Sequence, residues 1–152
     1  LRPEYTMSRL HIHIAVDDIE RNIRFYSAMF GAEPTLIKDD YAKWDLADPA
    51  VNFAISTRAR TTGLDHIGIQ ANSAAELDAL QARLDAAGIA GREQSGAACC
   101  YARSDKYWSL DPQGIAWEAF HTLDSIPTFN ESADDAQAKG CCVPTLEKTG
   151  CC

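Results

Sequence analysis

The chain repeats itself, and the repeat limits its fold more than any other feature does. An alternating run, Leu10-His11-Ile12-His13-Ile14-Ala15-Val16, leads into a stripe at Ile19, Ile23, Tyr26 and Phe30 that ends at Gly31. The same order returns in Leu64-Asp65-His66-Ile67-Gly68-Ile69, then Leu77, Leu80, Leu84 and Ala87, then Gly88. Corresponding points keep nearly constant offsets: His11 and His66 are 55 residues apart, Asp17 and Ser73 56, Gly31 and Gly88 57. Period-two alternation predicts a strand, and spacings of three and four predict one face of a helix. Asp17 with Glu20 and Ser73 with Glu76 read as capping boxes, and the glycines as helix stops.

Beyond each helix come further strand-like runs. In the first half they lie near Thr35-Ile37, Tyr41-Leu46 and Val51-Ile55, with a turn at Asp48-Pro49. In the second they lie near Cys100-Arg103, Tyr107-Leu110 and Ile115-Phe120, with a turn at Asp111-Pro112-Gln113-Gly114. The expectation is an α+β domain over 7–121 made of two βαβββ modules, about 8–57 and 63–121. Residues Leu1 to Thr6, before Met7, read as an extension. Residues 122–152 are rich in small and acidic side chains and carry four cysteines, so a mobile tail is expected there.

Composition narrows the partners. With 14 basic and 22 acidic residues the net charge is −8, which disfavours nucleic acid and anionic membranes. No apolar run approaches the roughly 20 residues that span a bilayer, and a cytoplasmic protein is expected. The six cysteines form three adjacent pairs, Cys99-Cys100, Cys141-Cys142 and Cys151-Cys152. Neighbouring cysteines bridge each other only with strain, so in a reducing compartment they suit soft metals or metalloids as dithiols; disulfides between pairs are the alternative. Between helix stop and Asp-Pro turn the second half is longer than the first, and the extra stretch holds Gly96-Ala97-Ala98-Cys99-Cys100. It reads as a loop, where function commonly sits.

His11 and His66 occupy equivalent strands, and Glu118 lies on the last strand of the second module. The matching run in the first module, Val51-Asn52-Phe53-Ala54-Ile55, has no carboxylate, imidazole or thiol. Taken singly, a strand histidine is more often a hydrogen-bonded structural residue than a ligand. If the modules pair about a pseudo-twofold axis, however, three donors remain where a symmetric site would have four. Two imidazoles and one carboxylate with open positions suit non-haem Fe(II), and Mn, Co or Ni accept the same donors. His13 shares a face with His11 and reads as a supporting group or a substitute ligand. His121 faces away from Glu118.

The segments HIHIAVDDIERNIRFYSAMFGAEP, DHIGI, CCYARSDKYW and DPQGIAWEAF, with the paired cysteines of the tail, resemble the vicinal oxygen chelate superfamily of glyoxalases and extradiol dioxygenases. Within it they resemble the family of cadmium-induced proteins and carbon–arsenic lyases. The resemblance spans about residues 7–121 and implies the paired-module fold of that superfamily. It also implies Fe(II) held by His11, His66 and Glu118, O2 as co-substrate, and a trivalent organoarsenical held by Cys99 and Cys100. The first ligand is glutamine in some relatives and histidine here.

Trivalent arsenic is soft, and two adjacent thiolates can chelate it while its carbon substituent points elsewhere. Lys106, then Arg103, are the cations expected to favour the thiolates. Tyr101, Tyr107 and Trp108 read as a wall or lid, or simply as core. Two other functions compete. One is a thiol-based protein that sequesters arsenic or cadmium without catalysis; the other is an isomerase or dioxygenase acting on a small carbon compound. The modules can pair within one chain or between two, so a homodimer is one of two open assemblies.

Overall fold

The computed structural model describes residues 8–129 and 143–144. Ten elements follow one another: β1 (Arg9–Ala15), α1 (Ile19–Phe30), β2 (Leu36–Lys38), β3 (Tyr41–Ala47), β4 (Ala50–Ser56), β5 (Gly63–Gln70), α2 (Ala74–Ala86), β6 (Gly91–Cys99), β7 (Ala102–Leu110) and β8 (Ala116–Ser125). This is βαβββ twice, the α+β order expected from the repeat. The chain divides into two compact units, Leu10–Ile67 and Gly68–Cys152 with Leu1–Arg9, so the division falls inside β5.

In the Leu10–Ile67 unit the strands run in the order β2-β3-β4-β1-β5. β1 is parallel to β4, with His11 opposite Asn52 and His13 opposite Ala54. β3 is antiparallel to both β2 and β4. Parallel neighbours need a crossover, and α1 lies within it. Alternation sends Ile12 and Ile14 to the face that meets α1, where Ile19, Ile23, Tyr26 and Phe30 pack on Trp44, Val51, Phe53 and Ile55. His11 and His13 therefore point to the opposite face, yet both are buried. The helix begins one residue later than the sequence suggested: Asp18, not Asp17, is the N-cap and accepts from the Arg21 backbone N–H at 2.9 Å. Gly31 ends it in the left-handed region, φ 63°, a conformation cheap only for glycine.

In the second unit β8, β7 and β6 are antiparallel neighbours. Helix α2 is capped by Ser73, which accepts from the Glu76 N–H at 3.2 Å; the Glu76 carboxylate reaches back to the Asn72 N–H at 2.8 Å. Leu77, Leu80 and Leu84 pack on Ala71, Tyr107 and Ala119, while Ala87, expected in that stripe, is exposed. Gly68 admits no side chain, because a Cβ there would collide with the backbone of Glu118. The Asp111 carboxylate closes the turn before β8 by accepting from the Gln113 and Ile115 N–H groups, both at 2.9 Å.

Two expectations change. The long stretch of the second half is mostly a hairpin, nine-residue β6 against nine-residue β7, and not a loop. A register shift between Gln94 and Ala97 absorbs extra chain, with Gly96 at φ 59° donating its N–H to Asp105 Oδ1 at 2.8 Å. β8 also runs on to Ser125, past residue 121, and Phe129 is buried. The remainder of the proposed tail, including Cys141, Cys142, Cys151 and Cys152, lies outside the described residues. No helix among the described residues is long and apolar enough to cross a membrane.

Candidate functional site

Within the Leu10–Ile67 unit three buried imidazoles, His11, His13 and His66, bring one potential ligand atom each to within 4.8 Å of one another. The Nε2 atoms of His11 and His66 are 3.1 Å apart. Ligand nitrogens about 2.0–2.1 Å from a shared ion, at angles from square to tetrahedral, are roughly 2.9–3.4 Å apart, so this separation suits one cation between two lone pairs.

Hydrogen bonds select the tautomers that such a site needs. His11 Nδ1 meets the Asn52 carbonyl at 3.1 Å and the Asn52 Oδ1 at 3.3 Å. Both partners are acceptors, so Nδ1 carries the proton and Nε2 the lone pair. His66 Nδ1 donates to the Asp65 carboxylate at 2.6 Å, which fixes the same tautomer and the orientation of the ring. His13 Nε2 meets the Ser56 hydroxyl at 2.8 Å. Asn52 and Ser56 are both on β4, beside β1, so a single parallel register orients two of the three rings. The donor set therefore fits a first-row divalent ion, as imidazole suits Fe, Ni, Cu and Zn. Asn52, Ser56 and Asp65 were not singled out from sequence. The one available signal was a polar side chain at Asn52 in an otherwise apolar strand.

Glu118, on β8 of the other unit, is also buried. Its Oε2 lies 3.3 Å from the Lys106 Nζ, itself almost wholly buried, and that ammonium stands 5.9 Å from the Trp108 ring centroid. Lys106, expected to favour the cysteine thiolates, thus has a carboxylate partner on the neighbouring strand. Arg103 faces Asp124 at 3.6 Å.

The vicinal cysteines occupy the tip of the β6–β7 hairpin. Cys99 pairs with Ala102 in register, leaving Cys100 and Tyr101 as the two turn residues, at φ 57° and 60°. Consecutive positive φ values define the type I′ turn that suits strand twist, normally built from Asn-Gly. Here two side chains with a Cβ take those positions, a strained arrangement typical of functional sites. The turn brings the Cys99 and Cys100 sulfurs to 3.2 Å without a bond between them. Cys99 is held in a disulfide. The dithiol expected from sequence therefore forms once that bond is reduced.

Of the three aromatic side chains, Tyr101 packs edge-on against Phe129, with centroids 5.6 Å apart. Tyr107 belongs to the core beneath α2 and donates its hydroxyl to Asp85 at 3.0 Å. Burial first, and the Asp85 carboxylate second, raise its pKa. Trp108 is buried, with its indole N–H on Gln94 Oε1 at 3.0 Å. For Tyr107 and Trp108 the plain core role is the one observed.

The repeated βαβββ order has counterparts among known proteins. Residues 8–119 match the Glyoxalase/Bleomycin resistance protein/Dioxygenase superfamily, and the chain belongs to it. Among its relatives is a protein of Bacillus sp. (strain MD1) named trivalent organoarsenical cleaving enzyme, 38% identical over 96% of this chain and 91% of that one. Another is the cadmium-induced protein CadI of Mycobacterium tuberculosis (strain ATCC 25618 / H37Rv), 36% identical over 90% of this chain and 93% of that one. The fold is also that of the Mn(II)-bound glyoxalase from Novosphingobium aromaticivorans, at a TM-score of 0.57 and 20% identity, covering 84% of this chain and 44% of that longer one.

Proposed function

We propose that the protein is an enzyme that cleaves the carbon–arsenic bond of trivalent organoarsenicals, using Fe(II) and O2. The observation that carries this reading is the pair of adjacent sulfurs, 3.2 Å apart on a strained turn, in a chain with a buried histidine cluster. The name of the Bacillus relative supports it.

In this reading His11, His66 and Glu118 hold the iron, and Cys99 and Cys100 hold the substrate. Two thiols displace two waters from methylarsonous acid and form two sulfur–arsenic bonds, which leaves the methyl group as the third substituent. The reading concerns the reduced chain, and a cytoplasmic setting supplies that state. Fe(II), when bound, would supply the electrons that activate O2. The chain's own residues orient: Asn52 and Asp65 accept from the outer ring nitrogens and leave the metal-facing ones their lone pairs, and Lys106 sets its ammonium 3.3 Å from the buried Glu118 carboxylate. The overall change balances: CH3As(OH)2 and O2 give As(OH)3 and formaldehyde, with carbon oxidised and O2 reduced.

Anaerobic loading with Fe(II), addition of methylarsonous acid and admission of air, followed by arsenic speciation, tests the reading. Arsenite formed only with iron and air is the expected outcome; none formed by fully loaded, reduced protein refutes it. A second reading is sequestration of arsenic or cadmium by the thiols without chemistry, which the two sulfurs 3.2 Å apart would also serve. That reading requires equal arsenical binding with and without air, and no product.

A further inference from the structure

The repeat leaves one histidine unaccounted for. The position equivalent to His13 in the second half is Gly68, where the Glu118 backbone passes too close for any side chain. In the first half that position carries an imidazole instead. The ring is 3% exposed and lies 4.9 Å from the His66 ring, centroid to centroid. Ala54, opposite His13 on β4 and fully buried, leaves the ring room that a larger neighbour would fill.

We propose that His13 is a metal ligand, so that His11, His13 and His66 form a three-imidazole site for a first-row divalent cation within Leu10–Ile67. Each ring sets one nitrogen against an oxygen of its own unit, Asn52 for His11, Asp65 for His66 and Ser56 for His13. A metal-bound histidine has this arrangement: the outer nitrogen anchors the ring and the inner one keeps its lone pair. When the Ser56 hydroxyl accepts from Nε2–H, the lone pair of His13 is on Nδ1. His13 is gathered with His11 and His66, the three candidate ligand atoms all lying within 4.8 Å of one another.

The inference rests on the metal-dependent reading above and extends it in one respect: the cation is retained when the carboxylate is removed. Three neutral donors also shift preference away from oxygen-seeking Mn and toward Co, Ni, Cu and Zn.

The test uses reduced full-length protein and metal alone. Co(II) is titrated against a chelator and its visible ligand-field spectrum recorded for the unaltered chain, Glu118→Gln, His13→Gln and the double variant. Glu118→Gln is expected to bind one Co(II) with affinity reduced less than about tenfold, His13→Gln to lose more than the roughly hundredfold that removing a ring-orienting partner costs, with an altered spectrum, and the double variant to bind none. In the unaltered protein, which carries no risk of misfolding, pulsed EPR of bound Cu(II) is expected to report three coupled imidazoles. Two imidazoles in that measurement, or His13→Gln with unchanged affinity and spectrum, overturns the proposal. Neither result depends on arsenic chemistry, so failure of the lyase reading and failure of this one are separable.

Discussion

Replacing Cys100 by glycine should make the protein more stable while abolishing the proposed cleavage of arsenicals. Cys100 sits at φ 57° in the hairpin turn, and a side chain in the left-handed region costs about 1–2 kcal/mol. Glycine removes that cost from the folded state but adds freedom to the unfolded chain, worth about 0.5–1 kcal/mol. The net gain is about 0.5–1 kcal/mol, or roughly 1–4 °C in Tm for a domain of this length. Cys100→Ser is the control. It keeps the Cβ and its strain, so its stability should stay within about 0.5 kcal/mol of the parent, although it too lacks the second thiol. Urea denaturation of all three under reductant, with a common slope, gives the comparison, and arsenite release from methylarsonous acid gives the function. A glycine variant no more stable than the serine variant would show that the turn is unstrained. Full turnover by either would show that the sulfur pair is not the trap.

Two further outcomes follow from buried charge and burial of a phenol. Lys106→Met leaves the Glu118 carboxylate buried without the ammonium now 3.3 Å away; metal-free protein should lose about 3–5 kcal/mol at neutral pH, much of it recovered in Lys106→Met/Glu118→Gln, and a loss under about 1 kcal/mol in the single variant contradicts the assignment. The Tyr107 pKa is raised above 10.0 by burial and by Asp85, so the folded state holds its proton more tightly than the unfolded state. Its contribution is complete below pH 10.0 and is lost as pH rises through the raised value; alkaline denaturation should therefore show a steeper fall for the parent than for Tyr107→Phe, and parallel curves would remove Tyr107 from the account.

Much of the scaffold was legible because it is encoded locally. Strand alternation at 10–16 and 64–69, the helical stripes, the Ser73 cap and the left-handed stop at Gly31 each depend on side chains a few residues apart. Local signals misled where two neighbours competed for one role. Asp17 and Asp18 both suit a cap, and only the path of the chain entering α1 decides for Asp18. Glycine and alanine around Gly96 read as a loop, but a glycine at a bulge lets β6 continue to Cys99. The cysteines consequently sit at the end of a hairpin, on a strained turn that their residue types disfavour.

The sequence by itself determined the doubled βαβββ order, the presence of histidines at equivalent strand positions, and the adjacency of Cys99 and Cys100. These follow from periodicity and from the covalent chain, which need no partner to be read. The tertiary structure alone decided that His13 joins His11 and His66, that Asn52, Ser56 and Asp65 orient those rings, and that Lys106 neutralises Glu118. Three of these pairings cross between strands, from His11 to Asn52, His13 to Ser56 and Lys106 to Glu118. Such pairings depend on register, and shifting a strand by one residue turns every side chain to the other face. Register is set by the packing of a whole face against its helix, a property of no single segment.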